Sequence, residues 1–64
     1  MNGSEKLQWV YDQEMHVSMK WIWDAGVDWQ IGWPDIIDSG NVSTVDEAIE
    51  EIYLATVDYE KTSI

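Results

Sequence analysis

The only histidine, His16, follows Asp12 and Glu14 closely, and serines stand at 18, 39 and 43. Nucleophilic catalysis needs a serine beside a base that an acid orients. Nothing in the spacing assembles such a trio, and a chain of 64 residues has little room for an enclosing pocket. The chain therefore reads as non-catalytic. It has no cysteine, so neither a disulfide nor a Cys/His zinc site is available. Residues 35–46 can be laid on a calcium loop, with Asp35 first, Gly40 sixth and Asp46 last. The match fails at Ile37 in the third ligand position and at Asp46, which stands where a bidentate Glu is needed. No metal and no cofactor is expected.

Charge is the stronger signal. Thirteen Asp and Glu face three basic residues, Lys6, Lys20 and Lys61, for a formal net charge of −10. Between Lys20 and Lys61 there is no basic residue, while Asp24, Asp28, Asp35, Asp38, Asp46, Glu47, Glu50, Glu51, Asp58 and Glu60 all fall there. Such a field repels nucleic acid and anionic membrane, attracts basic surfaces and costs stability by self-repulsion. A surface made acidic only for solubility usually mixes signs. An expected contact patch follows: Asp46, Glu47, Glu50, Glu51 and Asp58 on one helix face, with Leu54 and Val57 as apolar contacts among them. Carboxylates four residues apart on a helix stand about 6 Å apart along its axis. That is of the order of phosphate spacing, so the face could compete for a groove built to hold nucleic acid.

Five tryptophans and three tyrosines supply large apolar area. Aromatic platforms that stack on single-stranded bases are paired with basic grooves. The charge here is opposite, so Trp21, Trp23, Trp29 and Trp33 read as core residues of the sheet, and direct nucleic-acid binding is not expected.

These residues need elements to carry them. Residues 1–6 are polar and read as a frayed terminus. Leu7, Trp9 and Tyr11 alternate with Gln8, Val10 and Asp12, which predicts a strand over 7–13. Met15, Val17, Met19, Trp21 and Trp23 alternate with mostly polar neighbours, predicting a strand over 15–24. A turn at Asp24-Ala25-Gly26 leads to a third strand over 27–33, in which Val27, Trp29, Ile31 and Trp33 share one face. Those two strands form an antiparallel hairpin. Pro34 belongs at a strand end, bulge or edge. A fourth strand, where there is one, covers 36–42, although Asp38-Ser39-Gly40-Asn41 also reads as a turn. Thr44-Val45-Asp46-Glu47 fits a capping box and starts a helix over 45–60. Its apolar stripe is Val45, Ala48, Ile49, Ile52, Ala55, Thr56 and Tyr59.

The expected architecture is one α+β domain spanning 1–64: an antiparallel sheet of three to four strands packed on one C-terminal amphipathic helix. Hydrophobic residues make up 45% of the chain, enough for a folded core at this length. No apolar run approaches the roughly 20 residues of a membrane span, and residues 1–15 lack the apolar stretch of a signal peptide. A cytoplasmic protein is expected.

Trp33-Pro34-Asp35-Ile36, then Gly40, then Thr44-Val45-Asp46-Glu47-Ala48 make a series in which Trp29 to Val57 resembles the core of HicB-type antitoxin domains. The resemblance implies a protein that neutralises a small basic RNA-cleaving toxin through its sheet and the 33–44 region. In composition the whole chain looks equally like the small acidic inhibitors, of anti-CRISPR or DNA-mimic type, that phages and mobile elements direct against host defences. Together these readings predict an acidic protein-binding inhibitor whose partner is a basic nucleic-acid-handling protein or complex. A HicB-like antitoxin is the alternative. A structural or accessory subunit, such as a homodimer joined through a sheet face or edge strand, is the remaining class.

Overall fold

The computed structural model describes residues 3–22, 26–32 and 35–62, with the side chains of all of these except Trp21 and Ile22. The order of elements is α1 (Gly3–Asp12), β1 (Val17–Ile22), β2 (Gly26–Gly32), β3 (Ile36–Val42) and α2 (Val45–Thr62). The strands form an antiparallel meander, β1-β2-β3, with β2 in the centre. Helix α2 lies over β2 and β3, and α1 packs beside α2. The fold is therefore α+β, as expected, with a second helix.

That second helix corrects the first expected strand: residues 7–13 are not extended, and Gly3–Lys6 is helical rather than frayed. The buried and half-buried positions of α1 and of the turn that ends it are Gly3, Lys6, Leu7, Trp9, Val10 and Gln13. Five of these, 3, 6, 7, 10 and 13, follow the i, i+3, i+4, i+7 rule of a helix face. Because Gly3, Lys6 and Gln13 are not apolar, the stripe is invisible to a hydrophobic pattern. The alternation of Leu7, Trp9 and Tyr11 imitated a strand, yet Val10 is fully buried and Tyr11 is exposed. The helix ends in a tight turn in which the amides of Gln13 and Glu14 donate to the carbonyls of Val10 and Tyr11 at 3.1 and 2.9 Å. Glu14 closes it in the left-handed region, at φ 61°, a C-terminal conformation that glycine usually supplies.

The hairpin is present, with Val17 opposite Ile31, Met19 opposite Trp29 and Trp21 opposite Val27. Alternation along β2 follows the expected pattern, with Val27, Trp29 and Ile31 buried beneath the helices. The opposite face of the sheet carries a hollow lined by Ser18, Lys20, Asp28, Gln30 and Ser39, with Trp29 also bordering it. Lys20 stands across from Asp28 in register. Trp29 is buried as expected; Trp23 and Trp33, the side chain of Trp21, and the placement of Pro34 and of Asp24-Ala25 lie outside the described residues. Gly26 opens β2 at φ 97°, and a Cβ there would collide with the Val42 carbonyl. Glycine is required on both counts.

The Asp38-Ser39-Gly40-Asn41 turn does not form; those residues lie in β3, the optional fourth strand. The 35–46 segment is consequently strand and helix start, not a calcium loop. The register of β3 on β2 shifts between Ile31 and Gly32, so Ile31 faces Asp38 while Gly32 faces Ile36. This bulge leaves Ile37 without a partner of its own, and the regular alternation is broken. Ile37 packs against the core while Ile36 is 68% exposed.

Helix α2 runs as predicted, two residues further than 60. The Glu47 amide donates to Thr44 Oγ1 at 3.2 Å, and the Glu47 carboxylate accepts from the Ser43 amide at 3.2 Å. The capping box thus forms, with the returning carboxylate holding the residue before the cap. Ala48, Ile52 and Thr56 are fully buried and join Val10, Val27, Trp29 and Ile31 in the core. Thr56 is satisfied by donating to the Ile52 carbonyl at 2.8 Å. No helix among the described residues is long and apolar enough to cross a membrane.

Candidate protein-binding cleft

The residues expected on one acidic face of α2 are exposed there apart from Val57, but the two edges of that face meet different neighbours. On the flank toward α1, Glu50 forms an ion pair and hydrogen bond with Lys6. The Lys6 ammonium also lies 5.7 Å from the centre of the Tyr53 ring, within cation–π range. Tyr53 in turn meets Trp9 edge to face, with ring centres 5.2 Å apart. Asp46 approaches the α1 start at Gly3. Glu47 is occupied at the helix cap. Val57 is half-buried rather than presented to solvent.

The other flank is open. Here α2 and β3 diverge and leave a cleft of about 430 Å³ lined by Trp29, Asp38, Ser39, Gly40, Asn41, Glu51, Leu54, Ala55 and Asp58. It continues toward the end of α2 through a second hollow of about 380 Å³ lined by Ile37, Asp38, Ala55, Asp58, Tyr59 and Thr62. Asp38, Ala55 and Asp58 belong to both, so the two form one groove. Of the seven expected contact residues, Glu51, Leu54 and Asp58 come together here; Asp46, Glu47, Glu50 and Val57 do not line it.

The geometry of this groove follows from one glycine. Trp29 stands opposite Gly40, and a Cβ at Gly40 would approach the Trp29 indole to 2.6 Å at Nε1 and 2.7 Å at Cε2. The indole therefore lies flat over Gly40, where any other residue would displace it. In that position its Nε1–H donates to Glu51 Oε2 at 2.9 Å. A buried indole N–H needs such an acceptor. Glu51 is thereby drawn toward the sheet and lies beside Leu54, which is 54% exposed. Asp38 enters the groove because β3 places it opposite Ile31, on the helix side of the sheet.

Asp38, Ile37 and Gly40 are not among the seven residues expected on the acidic contact face, although they fall within the 33–44 region through which the HicB-type resemblance implies binding. Ile36-Ile37-Asp38 gives no alternation, and the bulge that seats both Ile37 and Asp38 against α2 depends on pairing with β2. Tyr59, expected in the core stripe, lies at the groove's end and is partly exposed.

Chemically the groove has an apolar floor, Ile37, Leu54, Ala55 and the edge of Trp29, with carboxylates Asp38, Glu51 and Asp58 around it. None of its lining residues is basic. Its volume falls in the range of small-molecule sites, but such sites enclose most of their ligand; this one is bounded by exposed side chains and suits a macromolecular surface. His16 is exposed, and its carbonyl accepts from the Gly32 amide at 2.9 Å, extending the hairpin ladder. Among the described residues no group of three or more His, Asp or Glu is arranged to hold a metal ion. The chain matches no protein-family model, no curated protein and no solved structure.

Proposed function

We propose that this protein is a non-catalytic, cytoplasmic inhibitor that binds a basic surface of a nucleic-acid-handling protein or complex and denies that surface to nucleic acid. The observation that carries the reading is the α2–β3 groove, in which Asp38, Glu51 and Asp58 surround Leu54 and Ile37 with no cation among the lining residues. Grooves that hold nucleic acid rely on Lys and Arg contacts to phosphate, and a carboxylate-rimmed apolar cleft offers those side chains both charge and a place for their aliphatic stems. The net charge of −10 adds long-range attraction. A small basic RNA-cleaving toxin is one partner of this chemistry, and a defence nuclease complex is another.

The test is affinity capture of basic nucleic-acid-binding proteins from a host-type lysate at low and high salt, followed by a gel-shift competition with each captured protein. The expected result is a protein held at low salt, released at high salt, and unable to bind its nucleic acid while the inhibitor is present. Capture should fail for the triple reversal Asp38→Lys, Glu51→Lys, Asp58→Lys and survive for Asp46→Lys, Glu50→Lys. Equal capture by both variants would overturn the assignment to the groove. Captured proteins that keep full nucleic-acid binding would overturn inhibition.

A further inference from the structure

Resting on the reading of the groove as a site for a basic partner, we infer that its occupant is an extended segment carrying Lys or Arg, which adds a fourth strand to the free edge of β3.

The edge is open and its phase can be worked out. Among the described residues β3 is the last strand of the sheet, paired only with β2. In an antiparallel ladder a residue's N–H and C=O point to the same neighbour, and successive residues alternate. The Val42 carbonyl faces Gly26 of β2 so closely that no Cβ fits between them. Val42, and with it Gly40, therefore points toward β2. Ser39 and Asn41 point away, toward the free edge. A second observation agrees: the Ser39 amide donates to the carboxylate of its own neighbour Asp38 at 2.8 Å, so the side chain supplies an acceptor at the open edge.

This contact also explains how the free edge is guarded. Exposed edges invite unwanted pairing, and natural proteins blunt them with charge and bulges. Both devices are present in β3, in the Asp38 carboxylate and the bulge at Ile37. The Asp38 guard is charge-selective. A Lys or Arg arriving beside Asp38 gives the carboxylate a stronger partner, frees the Ser39 amide for the incoming strand, and finds Asp58 across the groove.

Side-chain chemistry along the edge then specifies the segment. Positions of an added strand next to Asp38 and Gly40 face α2. The first of these meets Asp38 and Asp58 and calls for Lys or Arg. Two residues away, the second lies beside Gly40 and the exposed Leu54 and calls for an apolar side chain. The alternate positions lie beside Ser39 and Asn41 on the polar face. Strand addition of this kind draws affinity from main-chain hydrogen bonds and specificity from alternate side chains. A second copy of this chain is the wrong occupant. The β1 strand, at the other edge, carries its one cation, Lys20, in the hollow on the face away from the helices, and each copy brings a charge of −10.

The probe is the capped peptide acetyl-Thr-Lys-Thr-Val-Thr-Lys-Thr-amide, titrated into the full-length, ¹⁵N-labelled protein. Its control has the same side chains with alternate backbone nitrogens methylated. The expected result is that the Ser39 and Asn41 amides and the Trp29 indole N–H shift, that hydrogen exchange at Ser39 and Asn41 slows, and that the methylated peptide binds about tenfold more weakly or worse. The variant Asp38→Lys should weaken the parent peptide by a similar factor, while Asp46→Lys, a like charge change outside the groove, should leave it unchanged. Equal binding of the two peptides would overturn strand addition and leave the acidic-groove reading standing on its own lysate test. No binding of either peptide, or peptide-free protein that is already dimeric by light scattering with the same amides protected, would also overturn it.

Discussion

Helix α2 has two flanks built from similar residues and finished in opposite ways. Toward α1, an acid, an aromatic ring and an apolar residue at Glu50, Tyr53 and Ile49 meet Lys6, Trp9 and the start of α1. Toward β3, Glu51, Leu54 and Asp58 border an open groove with no cation among its lining residues. One of the three lysines, Lys6, stands where two helices must be held together. The groove keeps unneutralised acids, although self-repulsion there costs stability. Carboxylates of one helix thus face a cation on one side and an open groove on the other, where Glu51 also accepts the Trp29 indole hydrogen bond, and charge counting along the sequence cannot distinguish them.

The sharpest way to break this contrast is at its foundation. Gly40→Val would drive a side chain into Trp29. The indole cannot hold its flat position, so the Glu51 hydrogen bond is lost with it. Overpacking of a tight site costs about 1–3 kcal/mol, and here the upper end is expected because Trp29 is only 4% exposed. Urea unfolding monitored by fluorescence would measure it. A destabilisation below about 0.5 kcal/mol, the usual scale of surface substitutions, would mean that the groove floor is not rigid. Gly40→Ala should fall between Val and the parent.

The next effect belongs to the closed flank. Trp9→Ala removes the edge-to-face ring pair and part of the α1–α2 seam. The Trp9–Tyr53 coupling in a double-mutant cycle should be about 0.5–1.5 kcal/mol, with the whole Trp9→Ala loss larger because apolar area is exposed as well. Binding of the basic partner should be unchanged. A seam variant that remained folded and lost partner binding would show that the two flanks are not independent.

How much of this was legible in the sequence follows the same division. Features set by local chemistry were readable: the Thr44–Glu47 cap, the core positions Ala48, Ile52 and Thr56 of α2, though not Tyr59 at its end, and the buried alternation Val27, Trp29, Ile31 match their expected places. Features that depend on a neighbour were not. Helix α1 was hidden because its inward stripe uses Gly3 and Lys6 and runs on to Gln13 in the following turn, positions whose partial burial makes sense only once α2 and its Glu50 lie alongside. The bulge that places Asp38 in the groove is a property of β3 paired to β2. The residues of the expected acidic face are exposed along α2, Val57 excepted, but the two edges of that face meet different neighbours for a related reason. Helical spacing puts Glu50 and Glu51 100° apart, and only the positions of α1 and β3 determine what each side chain meets.

The smallest expected effect on stability is the most informative about purpose. Asp58 lies near the C-terminal end of α2, where the helix dipole disfavours negative charge, and it lines the groove beside Asp38. Asp58→Lys replaces an unfavourable charge with a favourable one and relieves repulsion within the groove. The change in stability should be within about 0.5 kcal/mol, with Tm steady or slightly raised, while low-salt retention of the basic partner falls. Glu50→Gln supplies the contrast: an exposed ion pair is worth about 0–1 kcal/mol, so stability should drop slightly and retention persist. Opposite signs in the two variants would show that position on α2, not charge alone, separates acids that hold the fold from acids kept for a partner. If Asp58→Lys instead destabilised the protein and left retention intact, Asp58 would belong to the fold, and the groove would lose one of its three carboxylates as a contact.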